Sequence, residues 1–224
     1  MPRVVAFDVN ETLLDLRALD PHFVRVFGDA AVRPLWFAQM LQLAFIGAIT
    51  GVYIDFTTAQ RRALRMVATR RGVDLADADA AAIADQMQHL PPHADVIPAL
   101  ERLAGTGALL VALTNSPAAV ADAQLRNAGI RDRFAQAFSA DAVRRLKPAP
   151  EPYRMVAERT AVTAGEVMLV AAHGWDISGA LAAGCRAAFV ARPGALLDVE
   201  GPQPEIVGAD LGTVAARITA LAAA

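Results

Sequence analysis

Asp8, Asn10 and Thr12 form the first cluster in this chain whose residue types can do chemistry. Asp8 ends the apolar run Val4-Val5-Ala6-Phe7 and is followed by Val9-Asn10-Glu11-Thr12-Leu13. A carboxylate at the carboxyl end of a buried parallel strand stands where open α/β sheets bind and transform ligands. Burying it unpaired is costly, so the following turn is expected to satisfy it through backbone N–H groups and the Thr12 hydroxyl. On this stretch alone, an Asp that merely ends a strand and caps a turn is an equally open reading. The later clusters decide between the two. They are Thr114, Asn115 and Ser116 in Leu113-Thr114-Asn115-Ser116-Pro117, Lys147 in Leu146-Lys147-Pro148, and His173, Trp175 and Asp176 in Ala171-Ala172-His173-Gly174-Trp175-Asp176. Each follows an apolar run of strand length. Side by side, these strand ends would gather a carboxylate nucleophile, a lysine to keep it ionised, hydroxyl and amide donors, and a second acid.

The elements needed to position them are legible as alternation. Apolar runs recur at Ala108–Leu113, Ala135–Ser139, Val167–Ala172, Ala187–Ala191 and, weakly, Ile206–Ala209. Helical segments separate most of them: one capped by Ser116-Pro117 and closed by Gly129, then Glu151–Thr160, Asp176–Ala183 with Gly184 beyond it, and Asp210–Leu221. Strands alternating with helices predict an α/β, doubly wound, parallel Rossmann-like sheet. Residues 16–92 break the pattern and read as helical throughout, with candidates Val32–Phe45, Thr58–Arg71 and Ala76–Leu90 and an exit at Pro91-Pro92. The chain is therefore expected to have an α/β core of residues 1–15 and 93–224 with a helical cap of 16–92 inserted after the first strand.

A net charge of −2, with no basic block, argues against a nucleic-acid partner. Cys185 is the only cysteine, which precludes an internal disulfide and suits a reducing, cytoplasmic setting. Pro34 to Ile54 contains no charged residue, yet Gln39, Gln42, Thr50 and two glycines interrupt it. A buried helix turning near Gly47 or Gly51 is favoured over a membrane span, and its apolar face would line a pocket or a homodimer interface. His22, His89 and His93 lack metal-ligand spacing and are assigned to the surface.

With its motifs in this order, the chain resembles the haloacid dehalogenase superfamily: Asp8 as nucleophile, then Thr114, Lys147 and Asp176 in the later motifs. Most members of that superfamily are magnesium-dependent phosphatases, with a second Asp two positions after the nucleophile and a Gly-Asp pair opening the last motif. Here those positions are Asn10 and Ala171-Ala172. An amide is no general acid, and a methyl group is no ligand for a hard cation. Both changes resemble the (S)-2-haloacid dehalogenase (type II) branch, which uses neither metal nor cofactor. Thr12, Asn115, Tyr153 six residues after Lys147, and Gly174-Trp175-Asp176 resemble that branch as well.

The resemblance implies hydrolysis of a short 2-haloacid through an ester on Asp8. Lys147 would hold Asp8 ionised, Asp176 would position or activate water, and Thr12, Thr114 and backbone amides would hold the substrate carboxylate. Asn10, Asn115, Tyr153, His173, Trp175 and Phe37 complete the expected substrate site. Two departures stand out. Phe37 replaces the branch's halide-receiving arginine, which leaves Arg33 as a substitute, or else Asn115, Trp175 and aromatic edges alone. His173 replaces an asparagine, and as a histidine beside the site it is either a general base or a neutral support for the Asp176 turn. The competing readings are a phosphate-ester hydrolase on the same fold and a catalytically weak binding protein. The pairing of Asp8 with Lys147 argues against the latter.

Overall fold

The computed structural model describes residues 1–221. Its sheet has six parallel strands in the order β3-β2-β1-β4-β5-β6. They are β1 (Val4–Phe7), β2 (Leu109–Thr114), β3 (Gln136–Ser139), β4 (Val167–Ala171), β5 (Arg186–Val190) and β6 (Ile206–Gly208). The expected α/β class and doubly wound sheet are thus found. β1 is central, and all four of its residues are buried because both faces of the sheet are covered. Val5 and Phe7 join one apolar core, while Val4 and Ala6 join the other. The chain order turns back beside β1, so the crevice at the sheet's carboxyl edge opens there.

Between β1 and β2 the chain is helical, with α1 (Asp20–Phe27), α2 (Val32–Thr50), α3 (Phe56–Arg71), α4 (Asp77–Gln86) and α5 (Val96–Ala104). α2 runs five residues beyond Phe45 and stops at Gly51, one of the two glycines expected to turn it, whose φ of 72° closes a helix end. The helix is long and apolar enough to cross a bilayer by composition. One side is nevertheless packed in the protein: Trp36, Phe37, Met40, Leu41 and Ala44 are buried, and the Trp36 Nε1–H donates to the Gln60 carbonyl at 3.0 Å, fixing α2 on α3. Leu35, Ile46 and Ile49 remain exposed on its other side. α3 starts at Asp55, whose carboxylate accepts from the Thr58 amide, and ends at Gly72 in the left-handed region. The apolar core of these helices is continuous with one face of the sheet.

After β2 come α6 (Ala118–Asn127), α7 (Pro150–Arg159), α8 (Gly174–Ala182) and α9 (Leu211–Ala220). Ser116 is not the cap of α6. Pro117 takes that position, and the Ser116 amide is spent on Thr114 Oγ1 at 3.2 Å. Gly179 lets α8 lie against the loop after β3: a Cβ there would sit 2.5 Å from the Tyr153 hydroxyl and 2.7 Å from Pro148 Cβ.

Candidate active site

Four strand ends converge at the carboxyl edge, supplying Asp8 after β1, Asn115 after β2, His173 after β4 and Arg192 after β5. Lys147, from the loop between β3 and α7, is completely buried and links two acids. Its ammonium donates to Asp8 Oδ1 at 2.9 Å and to Asp176 Oδ2 at 2.6 Å. The Asn115 side chain clamps the lysine backbone, accepting from Lys147 N–H at 2.7 Å and donating to its carbonyl at 3.2 Å. The other oxygen of Asp8 accepts from Thr12 Oγ1 at 2.6 Å, and Thr12 in turn accepts from the Ala172 amide.

Burial alone would raise the Asp8 carboxyl, but Lys147, His173 and Thr12 outweigh it and hold the group well below the ordinary carboxylate range. Asp176 is pushed the opposite way, by burial and then by the nearby charge of Asp8. Its second oxygen accepts from the Tyr153 hydroxyl at 2.5 Å.

His173 is the polar side chain that joins Asp8 to the open cleft. Its Nδ1 lies 3.1 Å from Asp8 Oδ2 and its Nε2 lies 2.9 Å from Glu11 Oε2. Phe37 and Trp175 stack on the imidazole at 5.7 Å and 5.1 Å between centroids. Burial opposes its protonation, yet bonds to the two carboxylates raise it from 6.5 to about 9. A site raised in this way stabilises the fold fully below the ordinary histidine pKa and loses that stabilisation as pH climbs through about 9. The difference is on the order of 3 kcal/mol. Urea unfolding at pH 6 and pH 9.5 is expected to show wild-type stability falling by more than that of His173→Asn. Parallel losses in the two proteins would contradict the charged pair.

The cleft has a volume of about 480 Å³, and its walls include Glu11, Arg33, Phe37, Leu41, His93, His173, Trp175 and Arg192. Several expected substrate contacts lie elsewhere. Asn10 spends its amide on Gln124, at 3.0 Å, and on Ser116, at 3.5 Å. Tyr153 is buried behind Asp176, and Thr114 is 1% exposed. Asn115 spends its oxygen and one N–H on the Lys147 backbone, and the single hydroxyl hydrogen of Thr12 goes to Asp8, so Thr12 is not free to donate to a substrate carboxylate. For Asn10, Asn115 and Tyr153 a partner distant in sequence claims the polar atom, whereas Thr12 bonds Asp8 only four residues away.

Arg33, the expected substitute cation, lines the cleft but is tied to Asp20 at 2.6 Å and lies near Glu11 at 3.6 Å. His22 and His93, expected at the surface, are only partly exposed. The His22 Nδ1 is enclosed without a partner, and His93 lines the cleft with Nε2 3.0 Å from the Glu11 carbonyl. Sequence reasoning passed over Glu11 and Arg192. The strand-end rule, applied to Val190-Ala191-Arg192, finds the arginine, which donates to the Thr12 carbonyl and to Asp95.

A magnesium ion of the phosphatase kind does not fit these residues. Both oxygens of Asp8 are already held by Lys147, Thr12 and His173, and Ala172 offers a methyl where a ligand is needed. Among the described residues no group of three or more His, Cys, Asp or Glu side chains is arranged to hold a metal ion.

A buried aspartate–lysine–aspartate line at the carboxyl edge of a parallel sheet is the arrangement of one hydrolase class. The chain belongs to the haloacid dehalogenase-like hydrolases, whose family model matches residues 2–184. It is similar to the (S)-2-haloacid dehalogenase of Xanthobacter autotrophicus, 30% identical over 86% of this chain and 76% of that one. It is also similar to haloacetate dehalogenase H-2 of Moraxella sp. (strain B), 27% identical over 90% and 91% of the two chains. The solved structure of the Xanthobacter autotrophicus L-2-haloacid dehalogenase with chloropropionic acid covalently bound superposes with a TM-score of 0.90, at 26% identity over 97% of this chain and 98% of that one.

Proposed function

We propose that this chain hydrolyses a short 2-haloalkanoic acid to a 2-hydroxyacid through an ester on Asp8. The observation that carries the reading is the ionised Asp8, held by a fully buried lysine beside a cleft walled by Phe37, Leu41 and Trp175 and edged by arginines. In this reading a carboxylate oxygen attacks C2 and the halide leaves in line, forming the C–O bond as the carbon–halogen bond breaks. Water then adds to the Asp8 carbonyl carbon, and the 2-hydroxyacid departs as the carboxylate is restored. Residues 16–92 act as the cap over the core of 1–15 and 93–224. The nearness of the known dehalogenases in sequence and structure supports the reading. The exposed Leu35, Ile46 and Ile49 on α2 are a surface that a homodimer would cover, and the reduced Cys185 accords with a cytoplasmic enzyme.

The test is halide release from L- and D-2-chloropropionate and from fluoroacetate, with EDTA present. Release from at least one that survives EDTA is expected. If none is released while magnesium supports turnover of an aryl phosphate, the chain is a phosphate-ester hydrolase instead.

A further inference from the structure

Glu11 has no part in the ester scheme, yet the fold holds it in an unfavourable position. Its φ is 62°, left-handed for a residue with a Cβ. That backbone turns its carboxylate toward His173, where Oε2 lies 2.9 Å from Nε2. His93 fixes the Glu11 carbonyl from α5's side, and Arg33 stands 3.6 Å from the second carboxylate oxygen. Asp8, His173 and Glu11 thus form a line of carboxylate, imidazole and carboxylate, and the stacked rings of Phe37 and Trp175 keep the imidazole plane in it.

Resting on the dehalogenase reading, we propose that His173 is the general base for hydrolysis of the Asp8 ester and that Glu11 is its positioning residue. In the resting enzyme the imidazole carries two protons and donates one to each carboxylate. Ester formation turns Asp8 from an anion into a neutral group, so the imidazolium loses the partner at Nδ1 and gives that proton to solvent. This is the proton that must accompany the departing halide. Nδ1 now carries a lone pair beside the ester, while Nε2–H still donates to Glu11. A water adding to the Asp8 carbonyl carbon passes a proton to Nδ1. The tetrahedral adduct expels the 2-hydroxyacid oxygen, which takes the remaining proton of the added water. Asp8 is again a carboxylate and His173 an imidazolium, and Glu11 keeps its charge throughout.

Asp176 is less suited to the task. It has no exposure, and both of its oxygens are bound, one to Lys147 and one to Tyr153. The charged groups that face the imidazole directly are Asp8 and Glu11. Arg33 acts on it through Glu11, and Lys147 through the far oxygen of Asp8. A positioned general base contributes on the order of 10² to 10⁴ in rate.

The experiment follows halide, hydroxyacid and intact protein mass in rapid-quench reactions, using whichever of the three haloacids the wild type turns over. His173→Asn is expected to give a stoichiometric halide burst, hydroxyacid release slowed about a hundredfold or more, and accumulation of the ester adduct. The burst itself shows that the variant is folded. Glu11→Gln is expected to slow hydroxyacid release less. It should also move the pH dependence of single-turnover ester hydrolysis to lower pH, because losing the carboxylate makes the imidazole a weaker base. If hydroxyacid keeps pace with halide in His173→Asn, or if the variant gives no burst, the proposal is wrong while the dehalogenase reading stands. No halide from the wild type sinks both.

Discussion

Asp8→Asn is expected to release no measurable halide, a loss of roughly 10⁴-fold or more, and to lower the pKa of its own His173. An amide has the shape of the carboxylate but cannot displace a halide, so the first result reports the nucleophile. The second reports the ion pair. His173 is held up to about 9 by two carboxylates, and the substitution removes one of them while Glu11 stays. The neutral amide resembles the neutral ester in charge, so the variant approximates the electrostatics that His173 meets in the intermediate. Imidazole nitrogen shifts recorded by NMR against pH would give both values, with the His173→Asn spectrum identifying the signal. An unchanged His173 titration in Asp8→Asn would mean that Asp8 does not control its proton. Unimpaired halide release would remove Asp8 as nucleophile altogether.

The parts of this site legible in the sequence are those fixed by local pattern. Asp8, Lys147 and Asp176 each end or follow an apolar run, and a parallel sheet must bring such ends to one edge. The fold was legible for the same reason, since period and punctuation reveal strands and helices. The apolar character of Ile46 and Ile49 was no guide to the end of α2, because both are exposed and the helix stops at the left-handed Gly51. The bonds from Thr12 and Lys147 to Asp8 were legible too, but the partners of the more remote polar groups were not. Asn10 looks like a ligand-binding amide until Gln124, 114 residues away, takes its oxygen. Tyr153 looks like a substrate contact until the close packing of Gly179 puts its hydroxyl on Asp176. Glu11 carried no signal, because only its left-handed backbone turns it toward His173, 162 residues away. Residue type states what a side chain can bond, but the three-dimensional contacts decide which partner arrives first.

Lys147→Met is expected to cost about 3–5 kcal/mol of stability near neutral pH and to abolish turnover. Methionine fills a similar volume without charge, so the packing change is small and the electrostatic change dominates. Lys147 is fully buried between Asp8 and Asp176, and its ammonium is held in the charged form against burial by those two acids. Without it, two enclosed carboxylates face each other with no cation between them. The pair is expected to respond by taking up a proton, which raises its titration well above the ordinary Asp range. Groups raised in this way weaken the fold above their pKa and recover as pH falls through it, so the deficit relative to wild type should be largest at pH 8 and shrink toward pH 5. Urea unfolding at the two pH values measures this directly. Asp176, the acid already raised, is the one expected to take the proton, so the loss of turnover follows from an Asp8 that the lysine no longer holds and orients. Lys147→Arg should not rescue either property, since a planar guanidinium is too large for an ammonium site with no solvent exposure. A methionine variant as stable as wild type at pH 8 would show that the two carboxylates do not depend on the lysine, and the lowered Asp8 pKa would then have to come from His173 and Thr12 alone.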